Sequence, residues 1–127
     1  IRNIENVFEE IERLLERCIL YKSHSSSIYF SKSQFHYEQF KIWKKLKNNE
    51  KAGKYLNKTF TDVEKAIELY PYKPRFLIFY AKILEESGET EKSIKYYKKA
   101  IYIENMRKDE LKEEEIIEII RKIARNK

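Results

Sequence analysis

Gly53, Gly88, Pro71 and Pro74 are the only glycines and prolines among 127 residues. A sandwich or barrel reverses direction many times and needs more turn residues than that. Apolar side chains recur instead at steps of three and four, the spacing of one face of an α-helix. The chain is therefore expected to be all-α. Aromatic residues make up 14% of it, enough to fill a core and to argue against a disordered segment. The apolar runs are only a few residues long, so no transmembrane segment is expected. The chain begins at Ile1 and its one methionine is Met106. It reads as a piece of something longer, which leaves its compartment open.

Six helices follow from the pattern. Ile4, Phe8, Ile11, Leu15 and Cys18–Ile19 predict an amphipathic helix over 1–22. Serines at 23 and 25–27 interrupt it, and any of them could cap the next helix through its hydroxyl. That helix, about 27–47, carries Ile28, Phe35, Gln39, Ile42, Trp43 and Leu46 on one face. A third runs from about 50 to 70 with Leu56, Phe60, Val63 and Ile67 inward. Pro71 and Pro74 close it. The fourth, 75–87, turns Leu77, Tyr80, Ala81 and Leu84 inward and stops at Gly88. After so short a connection the fifth, 90–104, must run antiparallel to it, with Ile94, Tyr97, Ala100 and Ile101 inward. The sixth, about 110–126, shows Leu111, Ile116, Ile119, Ile120 and Ile123, with an acidic start and a basic end that suit the helix dipole. Six helices in three hairpins is the expectation.

The chain also repeats itself. Thr59, Val63 and the run from Ala66 to Pro71 align with Ser93, Tyr97 and the run from Ala100 to Asn105 at an offset of 34 residues. That is the period of a helix-turn-helix repeat. Residues 74–107 carry Leu77, Tyr80, Ala81, Leu84, Gly88, Ser93, Tyr97 and Ala100 in the order large, large, small, large, glycine, small, aromatic, small. In this pattern the segment resembles the tetratricopeptide repeat family. Residues 40–73 match less well: Trp43, Leu46, Thr59, Val63, Ala66 and Pro71 fit, while Lys47 takes a small position and Gly53 falls one residue early. The resemblance implies one domain over 1–127, built as a short right-handed superhelix of stacked antiparallel hairpins. Its parts would be an N-terminal helical pair (1–39), a weak repeat (40–73), a clear repeat (74–107) and a capping helix (108–127). The half-a-tetratricopeptide repeats of RNA-processing scaffolds are a close relative, and Phe79, Tyr80 and Glu85 can be read in their pattern.

The first helix of each such unit lines a concave surface. Carried over by position, the clear repeat presents Arg75, Ile78, Phe79, Lys82 and Glu86 there, and the weak one Lys41, Lys44, Lys45 and Asn48. Such an apolar and basic floor suits a partner segment with hydrophobic and acidic side chains. The family's clamp for a chaperone C-terminal carboxylate is incomplete. Lys44 and Asn48 fit it, but Phe79 replaces an asparagine, and Asp109 and Glu113 stand where basic residues belong and would repel the carboxylate.

Charge is uneven along the chain. Residues 23–59 hold eight lysines against Glu38 and Glu50, and the remainder is neutral. Tyr29, Phe30, Phe35, Tyr37, Phe40 and Trp43 interleave with those lysines. Such mixing suits single-stranded nucleic acid, although helical spacing favours a core with a solvated lysine face. No enzymatic constellation is recognisable: His24 and His36 lack metal-ligand spacing, no glycine-rich phosphate loop occurs, and Cys18 reads as a small core residue. No cofactor or metal is expected. The reading is a protein–protein interaction module, a scaffold or adaptor, with self-association a further possibility. The alternative is a basic-patch or half-a-tetratricopeptide-like protein that binds RNA or single-stranded DNA.

Overall fold

A computed structural model describes residues 2–108 and 110–126, and the described residues form six helices and no strand. They are α1 (Arg2–Tyr21), α2 (Ser26–Lys45), α3 (Asn49–Leu69), α4 (Pro74–Glu86), α5 (Thr90–Arg107) and α6 (Glu113–Arg125). The chain falls into two compact units, one ending at Leu69 and the other beginning at Tyr70.

In the first unit α2 packs along α3, and α1 lies against α2. The turn between α2 and α3 is made by Leu46, Lys47 and Asn48. Lys47 N donates to Lys44 O at 3.1 Å and Asn48 N to Trp43 O at 3.0 Å, with Lys47 in the left-handed conformation at φ 60°. This pairing satisfies the last carbonyls of α2, normally with glycine at the left-handed position. Asn48 Oδ1 then accepts Lys51 N at 3.1 Å and caps α3. The turn thus falls where the break between the second and third helices was expected, and Gly53, which falls one residue early in the repeat pattern, lies inside α3. Ser25 takes the N-cap position of α2 without a side-chain cap hydrogen bond, so the expected hydroxyl cap is not made.

The buried face of α2 consists of Ser33, His36, Gln39, Phe40 and Trp43, whereas Leu46, expected inward, is exposed. On α3 the buried residues are Ala52, Thr59, Asp62, Val63 and Ala66. The core here is thus half polar. His36, 1% exposed, has its Nδ1 2.5 Å from Asp62 Oδ2 and its Nε2 2.9 Å from Glu12 Oε2. Lys32 reaches Glu16 at 2.6 Å on the same side. Burial opposes its charge, but Glu16, Asp62 and Glu12 outweigh that and hold the ammonium above its usual range. These contacts fasten α1 to α2. Otherwise α1 has no fully buried residue, and Ile4 and Cys18, both expected inward, are exposed. Cys18 is therefore not a core residue.

The second unit has an apolar centre. Pro74 does not close α3 but opens α4 from its first turn, where a missing N–H costs nothing, with Lys73 extended before it. Phe76, Leu77, Ile78, Tyr80, Ala81, Ile83 and Leu84 are buried on α4. Gly88 ends the connection at φ 84°, with Gly88 N bonded to Glu85 O and Glu89 N to Leu84 O. From α5 come Ser93, Tyr97, Ala100, Ile103 and Glu104. Ala81 and Ala100 are both fully buried in the packed α4–α5 pair, where small side chains let helix axes approach. Tyr80 meets Tyr96 edge-on with ring centroids 4.7 Å apart.

Helix α6 packs on α5. Tyr97 Oη donates to Glu85 at 3.1 Å and accepts Lys122 Nζ at 3.1 Å, joining α4, α5 and α6. Burial first, and Glu85 second, push the Tyr97 phenol well above its ordinary value. The buried carboxylate of Glu104 accepts Glu110 N at 3.0 Å and Leu111 N at 2.7 Å, fixing the loop before α6. Of the five residues expected inward on this segment only Ile119 is buried, and Ile120 is 50% exposed.

Candidate functional site

The nine residues expected on a concave face have separate fates. In the first unit Lys41 pairs with Glu38 at 2.9 Å and sits 4.9 Å over the Tyr37 ring, while Lys44 lies 5.5 Å over Phe40. Lys45 is exposed, and the Asn48 carboxamide is committed to capping α3. In the second unit Arg75 grips Glu115 through two hydrogen bonds of 2.7 and 3.0 Å and the Glu110 carbonyl at 3.1 Å. Its charge is spent inside the unit. Ile78 is 6% exposed and belongs to the core, because α4 is short and apolar on most of its circumference. Phe79 is half-buried, and Lys82 and Glu86 are exposed. Arg75 and Asn48 thus carry hydrogen bonds of their own within the fold, and Ile78 lies in the core. Asp109 of the carboxylate clamp lies outside the described residues.

What the second unit offers instead is an open groove between α5 and α6 of about 710 Å³. Ile101, Leu111, Ile116, Ile120 and Ile123 line it, with Tyr102 at its side and Lys98, Lys108 and Glu113 among its polar residues. Tyr102 is 66% exposed and the nearby Met106 is exposed as well. The groove is built because α6 has isoleucines over more of its circumference than one buried stripe can use. Only Ile119 is swallowed. The sequence pattern identifies these isoleucines as a face, and only packing shows that the face is left open.

The first unit has a smaller, polar cleft of about 370 Å³. Glu5, Glu9 and Glu12 of α1 face Lys51, Lys54 and Lys58 of α3 across it, with Gln39, Trp43 and Tyr55 in the wall. Lys51 closes one end by an ion pair with Glu5 at 2.7 Å, lying 4.3 Å over the Trp43 ring. The hydrogen bond with Lys51 holds the Glu5 carboxyl below its usual range. Lys54 and Lys58 both lie over Tyr55, at 5.6 and 5.3 Å. Gln39 Oε1 and Trp43 Nε1 are buried without a hydrogen-bond partner.

The basic and aromatic segment therefore folds largely onto itself. Five of its lysines cover the rings of Tyr37, Phe40, Trp43 and Tyr55, a favourable cation–π arrangement that leaves those faces closed to a stacking base. Among the described residues no group of three His, Cys, Asp or Glu side chains is placed to hold a metal. His24 is exposed and far in character from the buried His36. Among the described residues no helix is long and apolar enough to cross a membrane. No protein-family model matches the chain, and no curated protein matches it.

Proposed function

We propose that this chain is a protein–protein interaction module of tetratricopeptide-like character, a scaffold or adaptor that receives a partner segment in the α5–α6 groove. The observation that carries the reading is that groove: five Ile and Leu side chains line a concavity of helix-docking size. The α4–α5 hairpin adds support, since its small residues Ala81, Ser93 and Ala100 are all buried. An apolar anchor that becomes fully buried is worth about 1.5–3 kcal/mol. Lys98 and Lys108 favour a partner with acidic residues beside its apolar anchors, mainly by speeding encounter.

The test is a pull-down with the chain immobilised, comparing wild type with Ile120→Asp. Ile120 is half exposed, so the helical circular dichroism should be kept while the retained partner is lost. Retention of the same proteins by both would overturn the reading. Nucleic-acid binding is the competing outcome, and labelled single-stranded oligonucleotides distinguish it. Binding that is submicromolar at low salt and collapses on adding salt would replace the proposal, because neutralised phosphates give a steep salt slope.

A further inference from the structure

Helix α1 has more apolar surface than its own unit covers. Phe8, Ile11, Leu15 and Ile19 are half-buried toward α2, where Phe8 meets Phe35 edge-on with centroids 5.7 Å apart. A second line runs beside the first: Ile4, Val7, Ile11, Leu14, Cys18 and Tyr21. Its steps are 3, 4, 3, 4 and 3, the heptad alternation of a coiled-coil seam, sustained along the whole helix. Apart from Ile11, which the two lines share, this line points outward. Ile4, Val7, Leu14 and Tyr21 are 43, 55, 52 and 88% exposed, and Cys18 is exposed too.

We infer that this outer seam is a self-association surface, on which α1 of one copy pairs antiparallel with α1 of a second. Charge chooses both the occupant and its direction. Residues 3–12 contain four glutamates and no lysine or arginine. Glu5 and Glu12 are engaged by Lys51 and His36, which leaves Glu9 and Glu10. Residues 13–22 contain Arg13, Arg17 and Lys22, with Glu16 engaged by Lys32. Reversing one copy lays the acidic half on the basic half twice, by symmetry. The residues flanking the seam agree. Antiparallel pairing sets Glu10 of each copy beside Arg17 of the other, whereas parallel pairing would set Arg17 beside Lys22. Opposed helix dipoles favour the same direction. The layers become Ile4 on Tyr21, Val7 on Cys18, and Ile11 on Leu14. A symmetric, self-complementary patch of this kind closes a dimer and leaves no second half to propagate. It involves none of the α5–α6 groove, so it stands or falls independently of the proposed function.

Sedimentation of the full chain over a range of concentrations tests the association. Wild type is expected to form a dimer, and Leu14→Glu to remain monomeric with unchanged helical content, since Leu14 is 52% exposed. Glu10→Arg should weaken the dimer at least tenfold, and adding Arg17→Glu should restore it. Direction is tested by oxidation. In the antiparallel pair the two Cys18 positions are about 16 Å apart along the axis, too far for a disulfide. Val7→Cys places a thiol opposite Cys18 of the other copy and should yield a covalent dimer on a non-reducing gel. A monomeric wild type, a dimer indifferent to Leu14→Glu, or ready cross-linking of wild type through Cys18 would each overturn the inference.

Discussion

The α2–α3 and α4–α5 hairpins close with the same backbone hydrogen bonds and are filled with opposite chemistry. Each turn satisfies the preceding helix's last carbonyls through one left-handed residue, Lys47 in the first and Gly88 in the second. Between α2 and α3 the buried set includes Ser33, His36, Gln39, Thr59 and Asp62. Between α4 and α5 it is dominated by Leu77, Ile83, Leu84, Tyr80 and Tyr97. One geometry can therefore be reached either by apolar burial or by a polar network joined across helices. The difference lies in how each tolerates damage, because an apolar core loses area by degrees whereas a polar one can strand an unsatisfied group.

The largest expected effect breaks the polar side. His36→Leu leaves Asp62 buried without its hydrogen-bond partner, and stranding a buried polar group of this kind costs about 3 kcal/mol, more where it is charged. The loss should appear as a lower denaturation midpoint followed by the fluorescence of Trp43, the only tryptophan, which lies in the same unit. The double variant His36→Leu with Asp62→Leu should recover much of it. If the single change costs less than 1 kcal/mol, the network is not what holds α2 to α3. The matching change on the apolar side is Leu84→Ala, expected at about 2–4 kcal/mol for a buried leucine. Here no second substitution nearby should rescue the loss.

Smaller effects sharpen the contrast at the turns. Lys47→Gly relieves a side chain held at φ 60° and should stabilise by roughly 1 kcal/mol, while Gly88→Ala should cost about as much. Equal and opposite shifts in a urea titration would show that the two turns are equivalent. The smallest expected effect concerns acid. Glu115 is held below the usual carboxylate range chiefly by its hydrogen bond from Arg75. A carboxyl depressed on folding contributes its full stability above its unfolded value near 4.5 and loses it as pH falls through the lower folded value. Glu115→Gln should thus remove a contribution on the order of 0.5 kcal/mol at pH 7 and little at pH 3, the pair being partly exposed. A change independent of pH would assign the effect to packing.

The legibility of the two hairpins differed for the same reason. Apolar periodicity located Leu77, Tyr80, Ala81, Leu84, Tyr97 and Ala100 correctly as buried, since burial of such side chains is favourable almost regardless of neighbours. Gly88 announced its turn by chemistry peculiar to glycine. His36 gave no such sign, because its burial depends on Asp62, 26 residues away, and on Glu12, 24 residues away in the other direction. The turn at 46–48 was legible as a break between two helical runs, but nothing local marked Lys47 as its left-handed residue. Arg75 looked available until Glu115 was brought to it across 40 residues of chain.

Composition and period were enough to fix an all-α chain and the approximate extent of its six helices, because helix formation and amphipathic burial act over a few neighbouring residues. Folding in three dimensions decided which side chains are free. It consumed Asn48, Arg75 and Ile78, buried His36, and left Ile120 and the outer line of α1 uncovered. Exposure is a property of what packs opposite, and no local pattern contains that information.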